Sequence, residues 1–264
     1  DMRRLIFSDR FIQLNSKLGS PFLYGLGEHY DNFLKQADQF KTYSLWSTDR
    51  LPTPDGQRSY GGFPFYINLD RSNNAQQFQA HGVYLHNSNA MDIVLQSDSS
   101  ITFRTTGGIL DYFMFVGPEP LDVVSQFQHL VGLPELPPRW ALGFHLCRYN
   151  YGTLNKTKAA WERTRAAGIP FDTQWNDIDY MWHYNDFTYD PVNFAGLPEF
   201  VDDLHHKHKM HYMLIFDPGL SQESNYYPYE MGQQMDIWIR NATNQTLVGK
   251  VWNQSGRTVF PDFS

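Results

Sequence analysis

Short apolar segments separated by turn residues fill the first half of the chain. Between residues 5 and 115, β-branched and aromatic residues come in short runs bounded by Gly, Asn, Asp and Ser. Several short strands with turn signals between them are typical of a β-sandwich. The clearest predicted strands are residues 63–69, 82–85, 92–96, 101–105 and 109–116. We therefore predict an N-terminal β-sandwich domain at residues 1–136.

A helix and a proline-rich segment separate this half from the second. Pro118-Glu-Pro120 opens a helical pattern that ends at Gly132, because proline suits the first turn of a helix and glycine its C-terminal end. Residues 133–138 contain three prolines, which remove backbone donors and exclude both a helix and a central strand. We place the boundary between two domains in this segment.

After the boundary, strand and helix patterns alternate. Residues 140–147 form an almost continuously apolar run, as expected of a parallel strand that is covered on both faces. Thr153 is the predicted N-cap of a helix that ends at Gly168, and a strand at 170–175 follows it. A second helix then leads to a third strand at 211–216.

Three strand–helix units in series, joined by right-handed crossovers, fit the first part of a (β/α)8 barrel. A complete barrel needs about 250 residues, and the second half of this chain is much shorter. We therefore predict an incomplete barrel at residues 137–264.

The composition narrows the classes of partner. A net charge of -7 and a pI near 5.8 argue against nucleic-acid binding, which needs clustered Lys and Arg. The aromatic content of 16% supplies core volume or flat platforms for sugar rings. The sequence has no apolar stretch of the roughly 20 residues that span a bilayer, and no signal peptide at its start.

Four Asn-X-Ser/Thr sequons point to the secretory pathway, because only a chain that passes through it can carry a glycan there. The sequons begin at Asn155, Asn241, Asn244 and Asn253. Cys147, the single cysteine, permits no disulfide within the chain. We expect an extracellular protein, a membrane-anchored ectodomain or a lysosomal protein.

Polar residues follow each of the three predicted barrel strands. Arg148 and Tyr149 follow the first, Asp177 and Asp179 the second, and Asp217 the third. The carboxyl ends of barrel strands meet on one face, where barrel enzymes carry their active sites. We therefore predict that these side chains converge on a functional site.

Other interpretations of these acids stay open. Asp177 could bond the local backbone in an Asx turn, and Asp217 could fix the turn at the following proline. The pair Asp177 and Asp179 could also hold a divalent ion beside nucleotide phosphates, but no glycine-rich phosphate loop accompanies it.

Histidines 205, 206, 208 and 211 form a cluster in the sequence. They fall at a predicted helix end, where cationic side chains suit the negative pole of the helix dipole, and they lack the fixed geometry of a metal triad. We predict no metal site and no cofactor.

Seven segments, distributed along nearly the whole chain, resemble one family of enzymes. They are Tyr24-Gly-Leu-Gly-Glu-His29, Asn87-Ser-Asn-Ala-Met91, Arg104-Thr-Thr-Gly-Gly-Ile-Leu-Asp111, Gly143-Phe-His-Leu-Cys-Arg-Tyr149, Trp175-Asn-Asp-Ile-Asp-Tyr-Met181, Ile215-Phe-Asp-Pro218 and Gly249-Lys-Val-Trp252. On these segments the chain resembles glycoside hydrolase family 31, and in particular its animal α-glucosidases. The segment around Asp177 is highly specific.

The resemblance implies a β-sandwich followed by a (β/α)8 barrel with an insertion after the third strand, here at about residues 218–264. It implies that Asp177 bonds hydroxyl groups of a terminal glucose. It also implies that Tyr149, Ile178, Ile215 and Trp252 line the same pocket, and that Asp49 lies in a sandwich loop that reaches over the barrel mouth. From its place at the end of the third strand, Asp217 is likewise predicted to bind substrate. Leu51 departs from a polar residue of the intestinal members, which leaves the outer subsite open.

The implied reaction is retaining hydrolysis of an α-glucosidic bond, in which one carboxylate attacks the anomeric carbon and another protonates the leaving oxygen. Maltose-type α-glucosides and malto-oligosaccharides would release glucose from their non-reducing ends. The family's nucleophile motif, Trp-Ile-Asp-Met-Asn-Glu, and its acid/base motif do not occur in this sequence. We therefore predict no catalytic carboxylate in this chain, and we expect it to need the remainder of the barrel, contiguous or as another chain.

A second class of function is a catalytically silent, glycosidase-like protein that binds carbohydrate or acts as a scaffold. A fold can persist after its catalytic site is lost. Aspartates at both catalytic positions in the remainder of the barrel would favour the enzyme.

Overall fold

The computed structural model describes residues 5–48, 58–71 and 78–263. The chain divides into two compact units, Asp1–Pro134 and Glu135–Ser264. The division falls inside the proline-rich segment, next to the boundary expected at residue 136.

Two antiparallel sheets of five strands form the first unit. In chain order, its described strands are β1 (Leu5–Ser8), β2 (Phe11–Lys17), β3 (Phe22–His29), β4 (Leu34–Gln36), β5 (Lys41–Leu45), β6 (Arg58–Arg71), β7 (Phe78–Leu85), β8 (Met91–Gln96), β9 (Ser100–Thr105) and β10 (Tyr112–Phe115). One sheet has the order β1-β2-β9-β8-β5 and the other β10-β7-β6-β3-β4. The predicted β-sandwich is confirmed.

The core of the sandwich contains inward-facing side chains from both sheets. Ile93 and Phe103 from one sheet cluster with Leu23 and Tyr66 from the other, and each is at most 2% exposed. Helix α1 (Pro120–Val131) buries Val123 beside Phe115 in a second, smaller cluster. The helix ends at Gly132, as predicted.

Strand β3 bends at a glycine. Gly25 has a φ of +112°, and a Cβ atom at this position would lie 2.6 Å from the carbonyl oxygen of Phe65. The pairing of β3 with β6 shifts register between Gly25 and Gly27. Only glycine accepts both this φ and this close approach without strain.

The strand predicted at 109–116 is shorter in the structure, where β10 begins only at Tyr112. The side-chain amide of Asn87 donates to the carbonyl oxygens of Gly107 and Ile109 at 2.9 and 3.1 Å. These bonds hold residues 107–109 in a loop, so their carbonyl groups are satisfied outside the sheet.

Parallel strands and helices alternate in the second unit. After a 3-10 helix at Arg139–Leu142 come β11 (His145–Leu146), α2 (Leu154–Ala166), β12 (Thr173–Asn176), two 3-10 helices (Ile178–Tyr180 and Trp182–Tyr184), α3 (Leu197–His206) and β13 (His211–Leu214). The strands form a parallel sheet in the order β11-β12-β13. Thr153 caps α2 as predicted, since its side chain accepts the Lys156 N–H. These elements confirm the first part of a barrel, which is incomplete in this chain.

The long strand predicted at 140–147 is wrong. Its first half is the 3-10 helix, in which Ala141 N–H bonds to Pro138 and Gly143 N–H bonds to Trp140. Trp140 instead stacks on His211, with ring centroids 4.0 Å apart. Within the predicted range, only His145–Leu146 pair as a strand, and the apolar residues before them lie in the 3-10 helix and the turn that follows it.

Beyond β13, a small antiparallel sheet lies within residues 218–264. It consists of β14 (Leu220–Ser221), β15 (Val248–Gly249) and β16 (Thr258–Val259), and helix α4 (Tyr227–Met235) precedes β15. Leu220, Tyr226, Trp238 and Val259 form its own buried cluster. In the described part of the chain, every helix is too short or too polar to cross a membrane.

We predict that Asn68→Leu lowers the free energy of unfolding by about 3 kcal/mol. Asn68 is fully buried; its amide donates to Ser20 and Phe22 carbonyls and its Oδ1 accepts the Gly19 N–H. Leucine would leave these backbone groups unpaired. Urea unfolding measures the change, and Asn32→Leu at an exposed position is the control, expected to stay within about 0.5 kcal/mol. Equal stability of the two variants would contradict the stabilising role of the Asn68 hydrogen bonds.

Candidate active site

The register of the parallel sheet brings two predicted site residues to one level. Asn176 of β12 pairs with Leu214 of β13, so Asp177 and Ile215 are the next residues along each strand. The backbone of Asp177 is still extended, which directs its side chain to the same side as Trp175, two residues before. Trp175 donates its indole N–H to His145 of β11 at 2.8 Å.

Asp177 has one engaged and one unengaged carboxylate oxygen. Its Oδ1 accepts the Ile178 N–H at 2.7 Å and caps the 3-10 helix Ile178–Tyr180. Its Oδ2 accepts no hydrogen bond from any residue that the structure describes. The local-turn interpretation of Asp177 is thus right for one oxygen, and the half-buried side chain keeps a second acceptor.

Asp179 connects the loops after β11 and β12. Its two carboxylate oxygens accept the N–H groups of Asn150 and Gly152, at 3.1 and 2.7 Å. Because both oxygens serve the backbone, Asp179 is poorly suited to share a divalent ion with Asp177. Within the described ranges, no group of three or more His, Cys, Asp or Glu is arranged to hold a metal ion.

Tyr149 is held at the same end of the sheet. Its ring is 57% exposed, and its phenol group is hydrogen-bonded to Tyr184, a bond that is the main reason why the pKa of Tyr184 is raised. Desolvation, followed by the negative charges of Asp177 and Asp179, raises the pKa of Cys147. The loop after β11 therefore lies beside the two acids.

Ile178 and Ile215 belong to one apolar cluster at this end of the sheet. Tyr180, which is 2% exposed, donates its hydroxyl to the Ile215 carbonyl at 3.1 Å. This bond ties the 3-10 helix that follows Asp177 to the chain that follows β13.

Asp217 is bound through its backbone to a residue that the sequence did not single out. Asp186, which is 2% exposed, accepts the Asp217 N–H at 3.0 Å through Oδ1. Burial raises the pKa of Asp186 to about 6; the Asp217 N–H opposes this rise and the Asp217 charge adds to it. Asp186 lies in a polar stretch without a recognisable motif, and only the fold reveals its burial.

The other two predicted site residues differ in what the structure says of them. Trp252 is 63% exposed, and its loop is joined to the segment after Asp177, since Gln254 N–H donates to the His183 carbonyl at 3.2 Å. Asp49, like Leu51, lies outside the described residues, so its place at the site stays a prediction.

The four histidines of the sequence cluster have different partners, although the rings of His205 and His211 also lie 6.5 Å apart. His206 pairs with Asp202, His208 contacts Arg165, and His211 stacks on Trp140. Each contact is a local packing or hydrogen-bonding interaction.

The four sequons differ in exposure. Asn155, Asn241 and Asn244 are exposed. Asn253 is 5% exposed, and its side-chain nitrogen donates to Thr258 Oγ1 at 2.9 Å. A glycan on this nitrogen would displace the Thr258 contact, so Asn253 is the least accessible of the four predicted glycosylation sites.

Comparison with known proteins assigns the chain to a class. Residues 134–264 match the family "Glycosyl hydrolases family 31 TIM-barrel domain", and residues 14–93 match the "Glycosyl hydrolase 31 N-terminal galactose mutarotase-like domain". The two matches together include most of the sequence. The chain belongs to glycosyl hydrolase family 31.

Individual relatives agree with this assignment. The chain is 43% identical over 263 residues to lysosomal alpha-glucosidase of Mus musculus, and 41% identical over 266 residues to intestinal sucrase-isomaltase of Homo sapiens. Each match includes 98% of this chain but only 26% and 14% of the relative. The crystal structure of a family 31 alpha-glucosidase from Bacteroides thetaiotaomicron superposes with a TM-score of 0.79 at 27% identity, over 95% of this chain and 42% of that one.

We predict that Asp179→Ala speeds amide hydrogen exchange at Asn150 and Gly152 by about ten- to hundredfold, because hydrogen bonds to a charged acceptor contribute about 1.5–3 kcal/mol. Exchange mass spectrometry of the 147–153 segment measures the effect. Asp202→Ala on the exposed side of α3 is the matched control. Equal protection in both variants would show that other contacts hold this loop.

Proposed function

We propose that this chain forms part of a retaining, exo-acting α-glucosidase, and that Asp177 and its neighbours bind the terminal glucose. The observation that carries the proposal is the half-buried Asp177 carboxylate with one unengaged oxygen, next to Ile178 and in register with Ile215. A half-buried acceptor beside aliphatic side chains suits a sugar, which presents hydroxyl donors at its edge and C–H groups on its faces.

Asp177 acts as an orienting group in this proposal. A glucose hydroxyl donates to its Oδ2, while the exposed rings of Tyr149 and Trp252 supply flat surfaces around the sugar. Fixing the sugar in one orientation contributes to catalysis by aligning the anomeric carbon with its attacking group.

The nucleophile and the acid/base come from residues outside this chain. A retaining mechanism requires two carboxyl groups about 5–5.5 Å apart. Asp179, the acid nearest to Asp177 in the sequence, has both oxygens bonded to backbone N–H groups and is a poor partner. The remainder of the barrel, contiguous or as another chain, supplies the pair.

We further propose that the protein acts on maltose-type α-glucosides and malto-oligosaccharides in the secretory pathway. Support comes from the two curated relatives, which are named as a lysosomal and an intestinal enzyme, and from the three exposed sequons. The alternative, a silent carbohydrate-binding protein, predicts that substrate binds without turnover.

We predict that, in the complete enzyme, Asp177→Ala lowers kcat/KM for maltose by roughly ten- to two-hundredfold, which corresponds to the loss of a hydrogen bond of about 1.5–3 kcal/mol. The melting temperature should change little, because the side chain makes one local bond. Asp202→Ala is the control. Near wild-type kinetics would leave Asp177 with its turn-forming role alone.

We predict that Asn241 or Asn244 carries a glycan in the natively produced protein. Both are exposed, and the Asn241 Oδ1 accepts the Thr243 hydroxyl at 2.8 Å. Mass spectrometry before and after glycosidase treatment checks this, and the double variant Asn241→Gln/Asn244→Gln should lose the mass difference at these positions. The variant Asn253→Gln, at the buried sequon, should retain this mass difference. An unchanged mass in the untreated and treated peptide 240–247 would refute the assignment.

A further inference from the structure

A buried polar cluster lies directly behind the chain segment that carries Ile215 and Asp217. Asp186 is 2% exposed and Asn185 is 4% exposed, although both side chains are polar. Buried polar groups of this kind are costly unless they are hydrogen-bonded. The hydrogen bonds of Asp186 indicate which part of the structure its burial stabilises.

Asp186 joins two other parts of the second unit. Its carboxyl Oδ1 accepts the Asp217 N–H at 3.0 Å, and its backbone carbonyl accepts the Tyr226 hydroxyl at 2.7 Å. A second bond reaches the same segment two residues before Asp217: the Tyr180 hydroxyl donates to the Ile215 carbonyl. The segment 215–217 is therefore fixed at both ends from one side.

We propose that Asp186 is a positioning residue for the sugar site: its buried carboxyl group holds the segment 215–217, and with it the Ile215 and Asp217 side chains, in place. The inference rests on the function proposed above. Asp186 itself touches no substrate; it acts through the backbone N–H of Asp217.

The surroundings of Asp186 make this role dependent on pH. The titratable groups that face it are Asp217, Tyr180 and Tyr226, with Glu223 beyond Asn185. Burial raises the pKa of both tyrosines, so they stay neutral below pH 10 and donate their hydroxyls.

The sign of the effect follows from the raised pKa of Asp186. Its ordinary value is 3.8 and its value in the fold is about 6. Between these pH values Asp186 keeps its carboxyl proton while the segment is closed and loses it when the segment opens. The protection of the Asp217 amide therefore falls as pH rises from about 4 to 6, and it is flat above pH 6. The shift corresponds to a change of about a hundredfold in the opening equilibrium.

Two variants distinguish the effect of the Asp186 hydrogen-bond acceptor from the effect of its charge. Asp186→Asn keeps an Oδ1 acceptor and cannot ionise, whereas Asp186→Leu removes the acceptor at similar size. Asp202→Asn and Asp202→Leu, at an exposed acid on α3, are the matched controls.

The first measurement is amide exchange at Asp217 in the complete enzyme, corrected for the intrinsic pH dependence. At pH 4, where the proton linkage contributes little, Asp186→Leu should speed exchange at Asp217 by about tenfold, which corresponds to one hydrogen bond. Asp186→Asn should match the wild type at pH 4 and should lack the loss of protection between pH 4 and 6, so that at pH 6 its Asp217 amide is better protected than that of the wild type. Wild-type protection at Asp217 in Asp186→Leu would overturn the proposal.

The second measurement is steady-state hydrolysis of maltose and of a chromogenic α-glucoside. Asp186→Leu should raise KM by about tenfold with a smaller change in kcat, because the loss concerns sugar binding, and Asp186→Asn should restore KM. A uniform loss of kcat in both variants would overturn the positioning role. If the wild-type enzyme turns over neither substrate, the proposed function fails, while the exchange data still decide whether Asp186 holds the segment.

Discussion

The candidate site depends on carboxyl groups that accept hydrogen bonds from backbone N–H groups where barrel strands end. A loop that leaves a parallel strand carries donors without a sheet partner, and each unpaired donor costs about 1–3 kcal/mol when it is buried. Asp179 satisfies Asn150 and Gly152, and Asp186 satisfies Asp217. With these bonds in place, the loops after all three strands are held in one arrangement and can present side chains to a ligand.

Three acids within ten residues of one another perform different tasks because their surroundings differ. Asp177 is half-buried and keeps an oxygen available. Asp179 uses both oxygens on a neighbouring loop. Asp186 is buried, its pKa is raised, and it holds the backbone of Asp217. Residue type alone does not distinguish these tasks; the number of backbone donors within reach and the degree of burial do.

The sequence predicted those features that follow from hydrophobic periodicity and from residues that begin or end helices and strands. The sandwich, the helix between Pro120 and Gly132 and the cap at Thr153 all arise from local rules. The strand predicted at 140–147 failed because apolar content cannot separate strand pairing from ring contacts such as the stacking of Trp140 on His211. The sequon at Asn253 has a related limit: the motif is local, whereas the burial of its side chain against Thr258 is set by the fold. The family resemblance named Asp177 but gave no reason to single out Asp186.

The direction of Asp177 is itself determined by the residue before it. Asn176 is fully buried, donates to Thr157 of α2 and accepts the Tyr212 hydroxyl from β13. These two bonds fix Asn176 toward the helices, and the alternation of an extended chain then turns Trp175 and Asp177 to the opposite side. A slip of one residue would reverse the two and would place a carboxylate among apolar helices, where burial penalises its charge. The amide of Asn176, which has no part in sugar chemistry, therefore explains why the carboxylate of Asp177 faces the site.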